Sequence, residues 1–187
     1  MLYQKFVQKQ IIVIIGGPGS GKTTLIEELK QRGYCCYPEI SREVIMQARE
    51  QGIEQLFLEQ PLLFSELLLN GRKKQFAQAL EESHELVFLD RGIPDVLAYM
   101  HYIGDSYPAS FDDACKEHKY SKIFILPPWK EIYVSDDARY ETYEQSELLY
   151  QHLTETYSGY GYDIIEVPKA DLDQRILFIL GQLSSND

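Results

Sequence analysis

The sequence has few cysteines and a shortage of basic residues, and each shortage excludes a class of protein. It has three cysteines in 187 residues, with neither a C-x-x-C pair nor a spaced Cys/His set. No disulfide framework or structural zinc site is therefore predicted, and free thiols indicate a reducing compartment. Lys and Arg number 18 against 29 Asp and Glu, a formal net charge of −11. This balance argues against duplex nucleic acid as a partner, but it leaves room for a small anion held by a few local cations.

Long hydrophobic runs are also missing. The longest apolar runs, such as residues 11–15, are far too short to cross a bilayer. The first residues lack the apolar core of a signal peptide, and no lipidation motif is present. These absences predict a cytoplasmic protein with no membrane partner. Because there is no internal repeat and no Gly/Ser linker, residues 1–187 are predicted to form a single domain.

What the sequence does contain is an alternation of short apolar runs and longer amphipathic stretches. The apolar runs, which predict strands, cover 11–15, 34–37, 86–89, 123–126 and 162–167. The stretches with helical spacing cover 22–32, 42–50, 61–82, 93–102, 141–157 and 171–183. Nearly continuous apolar strands followed by helices are typical of parallel sheets that are covered on both faces. The pattern predicts an α/β fold whose ligands bind at the carboxyl ends of the strands.

A glycine-rich segment follows the first predicted strand and precedes the first predicted helix. It fits G-x-x-x-x-G-K-[ST] and comprises Gly16, Gly17, Pro18, Gly19, Ser20, Gly21, Lys22, Thr23 and Thr24. Glycine lets successive N–H groups turn toward phosphate oxygens, and the helix N-terminus adds a positive dipole. Lys22 is predicted to reach the terminal phosphates, and the Thr23 hydroxyl to bind Mg²⁺. The segment predicts a site for ATP, with GTP as the other option, because a plain glycine turn has no use for the Lys–Thr pair.

Asp90 and Arg91 come directly after the third predicted strand. An Asp in this place holds Mg²⁺ in phosphate-loop proteins, and the phosphate loop favours that role over a helix cap or an Asx turn. Arg91 could grip a phosphate with two N–H groups, or it could form an ordinary surface ion pair. The residues alone leave both options for Arg91 open.

Glu39 follows the second predicted strand, and Arg42 lies one helical turn later. Glu39 could accept a proton from a substrate hydroxyl while Arg42 steadies the substrate, or the two could be only an i,i+3 pair at a helix start. The segment 128–141 could close over the triphosphate and supply Arg139 to the transition state. It could equally be a solvated acidic helix start with one neutralising arginine.

Together these segments resemble a family of bacterial AAA-type ATPase domains within the phosphate-loop kinase superfamily, related to the ribosylnicotinamide-kinase domain of the bacterial NAD regulator. The resemblance covers most of the chain. Its landmarks are GGPGSGKTTL at 16–25, PEISREVI at 38–45, FLDRGIPDVLAY at 88–99, LPPWKEIY at 126–133, ARYE at 138–141 and YDIIEVPKADLDQRILFIL at 162–180. The phosphate loop is shared by a very large superfamily, whereas the combination of the other segments is much more specific.

The resemblance implies a three-layer phosphate-loop fold of the nucleoside/nucleotide-kinase type. Its parts are a five-stranded parallel sheet, helices on both faces and a small lid at about 128–141 that carries Arg139. The resemblance also implies that VPKAD at 167–171 borders the nucleobase pocket. The sequence departs from the expected pattern at Ala138, where an acidic residue would stand beside the lid arginine.

For the site residues, the resemblance implies Asp90 as the Mg²⁺-side acid, Arg91 as a phosphate or substrate contact, and Glu39 as the base that faces the acceptor. The leading hypothesis is Mg²⁺-dependent phosphoryl transfer from ATP to a small nucleoside-like or other hydroxylated metabolite. The alternative is an ATPase or nucleotide-dependent switch that acts on a protein partner, with the helical stretch 61–82 as a docking face. The cations predicted to converge on one locally positive crevice are Lys22, Arg42, Arg91 and Arg139.

Overall fold

A five-stranded parallel sheet with the order β2-β3-β1-β4-β5 forms the centre of the fold. The computed structural model describes residues 9–50, 52–53, 55–133 and 142–184. The strands are β1 (Gln10–Gly16), β2 (Cys35–Tyr37), β3 (Leu86–Asp90), β4 (Lys122–Leu126) and β5 (Ile164–Glu166). The helices are α1 (Lys22–Gln31), α2 (Ser41–Glu50), α3 (Leu56–Glu59), α4 (Pro61–Glu81), α5 (Ile93–Ile103), α6 (Ala109–Glu117), α7 (Tyr143–Gly159) and α8 (Leu172–Ser184). The predicted α/β architecture with five parallel strands is confirmed.

Strand β1 runs through the middle of the sheet and is buried on both faces. Ile12 and Ile14 pack into the core formed with α1 and α8, whereas Val13 and Ile15 pack into the core formed with α4 and α7. Successive strand residues point to opposite faces, so a continuous apolar run is what a two-sided core requires. Full burial of each such side chain contributes about 1.5–3 kcal/mol. This is why β1 lacks the alternation of apolar and polar residues that is typical of a strand with one exposed face.

A third apolar cluster joins α2 through α6 beside the sheet. Helices α3 and α6 belong to it, and neither was predicted from the sequence. Helix α6 is short and buries only Phe111, Ala114 and Cys115, so its periodic signal is weak. It packs against α5, and this tertiary contact supplies the stability that local propensity does not.

The segment predicted as a lid is described only in its first part. Residues Lys130–Ile132 form one turn of 3₁₀ helix, and residues 134–141 lie outside the described residues. Helix α7 then begins behind a capping box, in which the Thr142 hydroxyl accepts from the Gln145 N–H at 3.3 Å and the Gln145 amide oxygen accepts from the Thr142 N–H at 2.7 Å. Among the described helices, none combines the length and apolar character that crossing a membrane requires.

Candidate functional site

The glycine-rich segment forms the loop between β1 and α1. Gly19 and Gly21 have φ angles of 72° and 82°, in the left-handed region that glycine adopts without strain. The first turn of α1 contains no acidic residue, so its N–H groups and helix dipole are left for an anion. The Ser20 hydroxyl is buried and has no hydrogen-bond partner among the described residues. The loop therefore offers the unmatched donors that a phosphate group would satisfy.

Lys22 and Asp90 form a buried ion pair beneath this loop. The ammonium group of Lys22 donates to Oδ1 of Asp90, and both side chains are almost fully buried. Burial lowers the pKa of Lys22, and the nearby Arg91 lowers it further, while Asp90 opposes the shift. Thr23, the next residue, is exposed. A carboxylate and a hydroxyl are oxygen ligands of the kind that Mg²⁺ prefers, so Asp90 and Thr23 fit this ion.

The Glu39 carboxylate, between β2 and α2, is held through both of its oxygens. Oε1 accepts from the backbone N–H groups of Ile40 and Ser41 at 3.0 and 3.1 Å and from Nη2 of Arg72 at 3.3 Å. Oε2 pairs with Nε of Arg91. Burial alone would raise the pKa of Glu39, but Arg91 and then Arg72 lower it to about 2. The carboxylate is therefore ionised near neutral pH and fixed in one orientation.

Two buried charges that sequence reasoning missed complete this network. Nη1 of Arg72 donates to the Gly92 carbonyl at 2.6 Å and lies 4.0 Å from Oδ2 of Asp95. The same Asp95 oxygen accepts from the Gly92 N–H at 2.8 Å and from the Tyr157 hydroxyl at 2.6 Å. A signal was present for both residues. Arg72 lies on the buried stripe of its helix, and Asp95 is the one acidic residue of the apolar helix α5.

Arg91 connects these groups and has an unusual backbone conformation. Its φ of 72° is the one positive value outside glycine in the described part of the chain. Its N–H donates to the Ile14 carbonyl at 3.1 Å, and its Nη1 lies 3.4 Å from Oδ1 of Asp95. A left-handed arginine costs about 1–3 kcal/mol, which the surrounding contacts must offset. Such strain concentrates at functional sites, and the guanidinium of Arg91 pairs with Glu39.

The low pKa of Glu39 leads to a prediction about acid stability. Because folding lowers this pKa from 4.5 to about 2, ionised Glu39 stabilises the fold fully above the unfolded value and progressively less as the pH falls toward the folded value. Between these two pH values, we expect the free energy of unfolding to fall more steeply for the wild type than for Glu39→Gln. Denaturant titrations at a series of acidic pH values measure both slopes. Parallel curves for the two proteins would contradict the assigned ion pairs.

A cavity of about 470 Å³ opens beside Glu39; we call it the Glu39 cavity. Pro18 of the phosphate loop also lines it, so the cavity adjoins the loop. Its charged lining residues are Glu39, Arg72, Arg91 and Asp95. Its apolar and aromatic lining includes Ile45, Phe57, Phe64, Leu68, Val96 and Tyr99. The size is within the range that accommodates a small organic ligand.

A second cavity, of about 380 Å³, is lined by Trp129 and by the loop residues Gly19 and Gly21; we call it the Trp129 cavity. Ala170 and Asp171, from the segment predicted to border the nucleobase, also line it. So does Arg175, which lies within the landmark segment 162–180 but was given no role from the sequence. Its Nη2 donates to the Ser20 carbonyl at 3.0 Å, and its guanidinium carbon lies 5.8 Å from the Trp129 ring centre. This cavity therefore joins an aromatic ring and a buried cation beside the phosphate loop.

The structure does not bring all of the predicted cations to one crevice. Arg42 is exposed on α2 and lines neither of the two cavities. Glu39 pairs with Arg72 and Arg91, so the predicted substrate contact of Arg42 finds no support in this geometry. Arg139 lies outside the described residues, and its predicted place in the lid stays a prediction.

A further group of potential metal ligands lies on β2 and just after α4. The ligand atoms of Cys35, Glu82 and His84 are within 4.8 Å of one another. The Glu82 carboxylate accepts from the Tyr37 hydroxyl at 2.8 Å, and burial raises the pKa of the Cys35 thiol. Metal binding requires a Cys thiolate and a carboxylate that is free to coordinate. Here the raised pKa favours the neutral thiol, and the Glu82 carboxylate is already engaged by Tyr37. We therefore describe this group as a hydrogen-bonded cluster.

Several solved structures share this fold. The NadR protein in complex with NR superposes with a TM-score of 0.76 at 15% identity, over 96% of this chain and 52% of that chain. Deoxyadenosine kinase from M. mycoides superposes with a TM-score of 0.69 at 20% identity, over 94% of this chain and 99% of that chain. Thymidylate kinase from Candida albicans superposes with a TM-score of 0.66 at 17% identity, over 96% of this chain and 92% of that chain. At these identities the similarity establishes the fold, and the chain spans about half the length of the NadR protein.

Comparisons at the level of sequence complete this picture. No curated protein shows significant similarity to the chain. The sequence model of the AAA domain family matches residues 11–175. This range contains the phosphate loop, Glu39 and the Asp90–Arg91 pair, which are the segments that predicted the family. Because the match covers most of the chain, the protein belongs to the AAA domain family of phosphate-loop proteins.

Proposed function

We propose that the protein transfers the terminal phosphoryl group of ATP, or of GTP, to a hydroxyl group of a small nucleoside-like or otherwise hydroxylated metabolite. The position of Glu39 carries the proposal. Its carboxylate is tied to Arg91, next to Asp90, and it lines a cavity that also touches Pro18 of the phosphate loop. A donor on the loop and an acceptor in the Glu39 cavity would meet beside one fixed carboxylate. Positioning of this kind is a main source of catalysis in phosphoryl transfer.

In the proposed reaction, the acceptor hydroxyl oxygen attacks the terminal phosphorus. The bond from that phosphorus to the bridging oxygen breaks, and the nucleoside diphosphate leaves with the electron pair. The hydroxyl proton passes to Glu39 and then to solvent. Although burial opposes the shift, Arg91 and Arg72 lower the pKa of Glu39 to about 2, so the carboxylate is a weak base. Its main contribution is to orient the hydroxyl, which suffices for a loose transition state.

Lys22 and Asp90 act on the donor in this proposal. The Lys22 ammonium carries three N–H donors and uses one on Asp90, so others remain for the terminal phosphates. Mg²⁺, when held by Asp90 and Thr23, supplies charge neutralisation on the phosphate oxygens. Arg139 is proposed to add a positive charge from the lid. The shared role of these groups is to stabilise negative charge on the transferring phosphoryl group.

The test of this proposal starts with a metabolite screen in which phosphorylation is read by mass change of the acceptor. With an acceptor in hand, Glu39→Gln should lower turnover by about 10²-fold, the cost of misplacing a reacting group by about 1 Å. Its affinity for ATP, measured by calorimetry, should change much less than turnover, because Glu39 does not line the Trp129 cavity. The control is Glu43→Gln, an exposed residue of α2 that accepts from Gln47 at 3.1 Å. Full turnover in Glu39→Gln would overturn the role of Glu39.

The alternative function, a nucleotide-dependent switch on a protein partner, uses α4 as a docking face. In the structure this helix turns Phe64, Leu68 and Arg72 into the protein, where they line the Glu39 cavity. That use of α4 favours the acceptor hypothesis. ATP turnover without any acceptor, combined with hydrogen exchange in the presence and absence of nucleotide, separates the two. Hydrolysis that no metabolite stimulates, together with nucleotide-dependent partner binding, would favour the switch.

A further inference from the structure

Building on the proposed phosphotransferase function, we propose that the acceptor in the Glu39 cavity is a neutral nucleoside that carries no phosphate group. The fold alone leaves this open, since it is shared by kinases named for a nucleoside, deoxyadenosine, and for a nucleotide, thymidylate. The charges around the Glu39 cavity distinguish between the two kinds of acceptor.

The formal charges in the described lining of the Glu39 cavity cancel. They belong to two cations and two anions: Arg72, Arg91, Glu39 and Asp95. Each arginine already faces both carboxylates. Arg72 lies 3.3 Å from Glu39 and 4.0 Å from Asp95, and Arg91 pairs with Glu39 and lies 3.4 Å from Asp95. Within this lining, no cation is left without a carboxylate neighbour.

A phosphate monoester would meet an unfavourable environment in this cavity. It carries a charge of about −1.5 to −2 at neutral pH and is bound where arginine or lysine charges are unmatched. Here it would have to displace the Glu39 carboxylate, which is anchored by the N–H groups of Ile40 and Ser41. If it did not displace that group, two anions would lie side by side in a partly buried site. Both arrangements are strongly unfavourable.

The rest of the lining suits a neutral ring compound. Aromatic side chains contribute from three helices: Phe57, Phe64, Tyr99 and Tyr102. Ser41, Ser65 and Gln145 add uncharged hydrogen-bonding groups. A nucleoside provides a flat base for the aromatic rings and sugar hydroxyls for the Glu39 carboxylate. The cavity therefore matches both parts of a nucleoside, and its described lining contains no unmatched cation for a phosphate.

Binding, measured without any transfer step, tests the inference. The common nucleosides and their 5′-monophosphates are each titrated into the wild-type protein by calorimetry. Two variants locate the binding: Ile45→Trp, which places an indole in the cavity lining, should abolish it, whereas Met46→Trp, at the adjacent 62% exposed position outside the lining, should not. We expect at least one nucleoside to bind the Glu39 cavity about tenfold or more tightly than its monophosphate. A tighter monophosphate at this cavity, or no binding of any nucleoside there, would overturn the inference.

Glu39→Gln supplies a second test, because it removes one negative charge with little change of shape. The charge of Arg91 and Arg72 is then partly unmatched. The ratio of monophosphate affinity to nucleoside affinity should rise about tenfold, which corresponds to about 1.4 kcal/mol. If the variant shows a cooperative thermal unfolding transition, an unchanged ratio of monophosphate affinity to nucleoside affinity would contradict the charge argument. If the variant does not fold, the wild-type titrations decide.

The two proposals fail in different ways. A protein that prefers nucleosides in the Glu39 cavity but transfers no phosphoryl group would contradict the phosphotransferase function and leave the neutral ligand intact. A protein that transfers phosphoryl groups to a sugar hydroxyl of a monophosphate would retain the general function and lose the neutral acceptor.

Discussion

Replacing Lys22 with alanine should lower phosphoryl transfer by about 10³-fold or more. The lysine is the one charged side chain of the phosphate loop, and its ammonium lies buried beside Asp90. Loss of one preorganised charge-stabilising donor typically costs about 10²–10³ in turnover, and loss of a full positive charge near a triphosphate also weakens binding. The measurement is kcat/KM for the donor at saturating acceptor.

Two further proteins make the Lys22 result specific. Lys30→Ala, at an exposed position of the same helix, is the matched control and should keep wild-type activity. Lys22→Ala also leaves Asp90 buried without its partner, so the double variant Lys22→Ala/Asp90→Asn should recover part of the lost stability while staying inactive. Activity within about tenfold of wild type in a folded Lys22→Ala protein would contradict the role of the loop in transfer.

Replacing Arg72 with methionine should destabilise the fold by about 3–5 kcal/mol, the usual cost of removing one partner of a buried ion pair. Arg72 is 4% exposed, and its guanidinium contacts Glu39 and the Gly92 carbonyl at the same time. Methionine fills a similar volume but satisfies neither contact, so a carboxylate and a buried carbonyl lose a donor. Chemical denaturation measures the change in the free energy of unfolding.

The control for Arg72 is Lys74→Met, the same loss of charge at an exposed position of α4, which should stay within about 0.5 kcal/mol of wild type. Arg72→Lys should recover little of the loss. A lysine has no planar fork and cannot make the two contacts at once. A loss below about 1 kcal/mol in Arg72→Met would show that the buried carboxylates of Glu39 and Asp95 do not depend on this cation.

Local patterns were sufficient for the framework of the fold. Five apolar runs predicted strands, and the nearly continuous runs of β1, β3 and β4 indicated parallel strands, because a strand that is buried on both faces has no polar positions to interrupt the run. Strands β2 and β5 are short and only partly buried, and they were predicted from the less continuous runs at 34–37 and 162–167. Helices α3 and α6 were not, because each has too few residues to show a period and depends on packing against its neighbours.

The sequence by itself determined the phosphate loop, because its chemistry is local: the glycines, Lys22 and the start of α1 are consecutive residues whose backbone geometry follows from their own identity. The partner of Glu39 was not local. Arg42, three residues away, was the neighbour that the sequence suggested, but the fold leaves it exposed and brings Arg72, from 33 residues away, together with Arg91. Only the tertiary structure decides such pairs, since the strand order and the burial of α4 select which charges lose water and must be matched. The sequence predicted a locally positive crevice. The tertiary structure instead surrounds the Glu39 cavity with two cations and two anions, whose formal charges cancel.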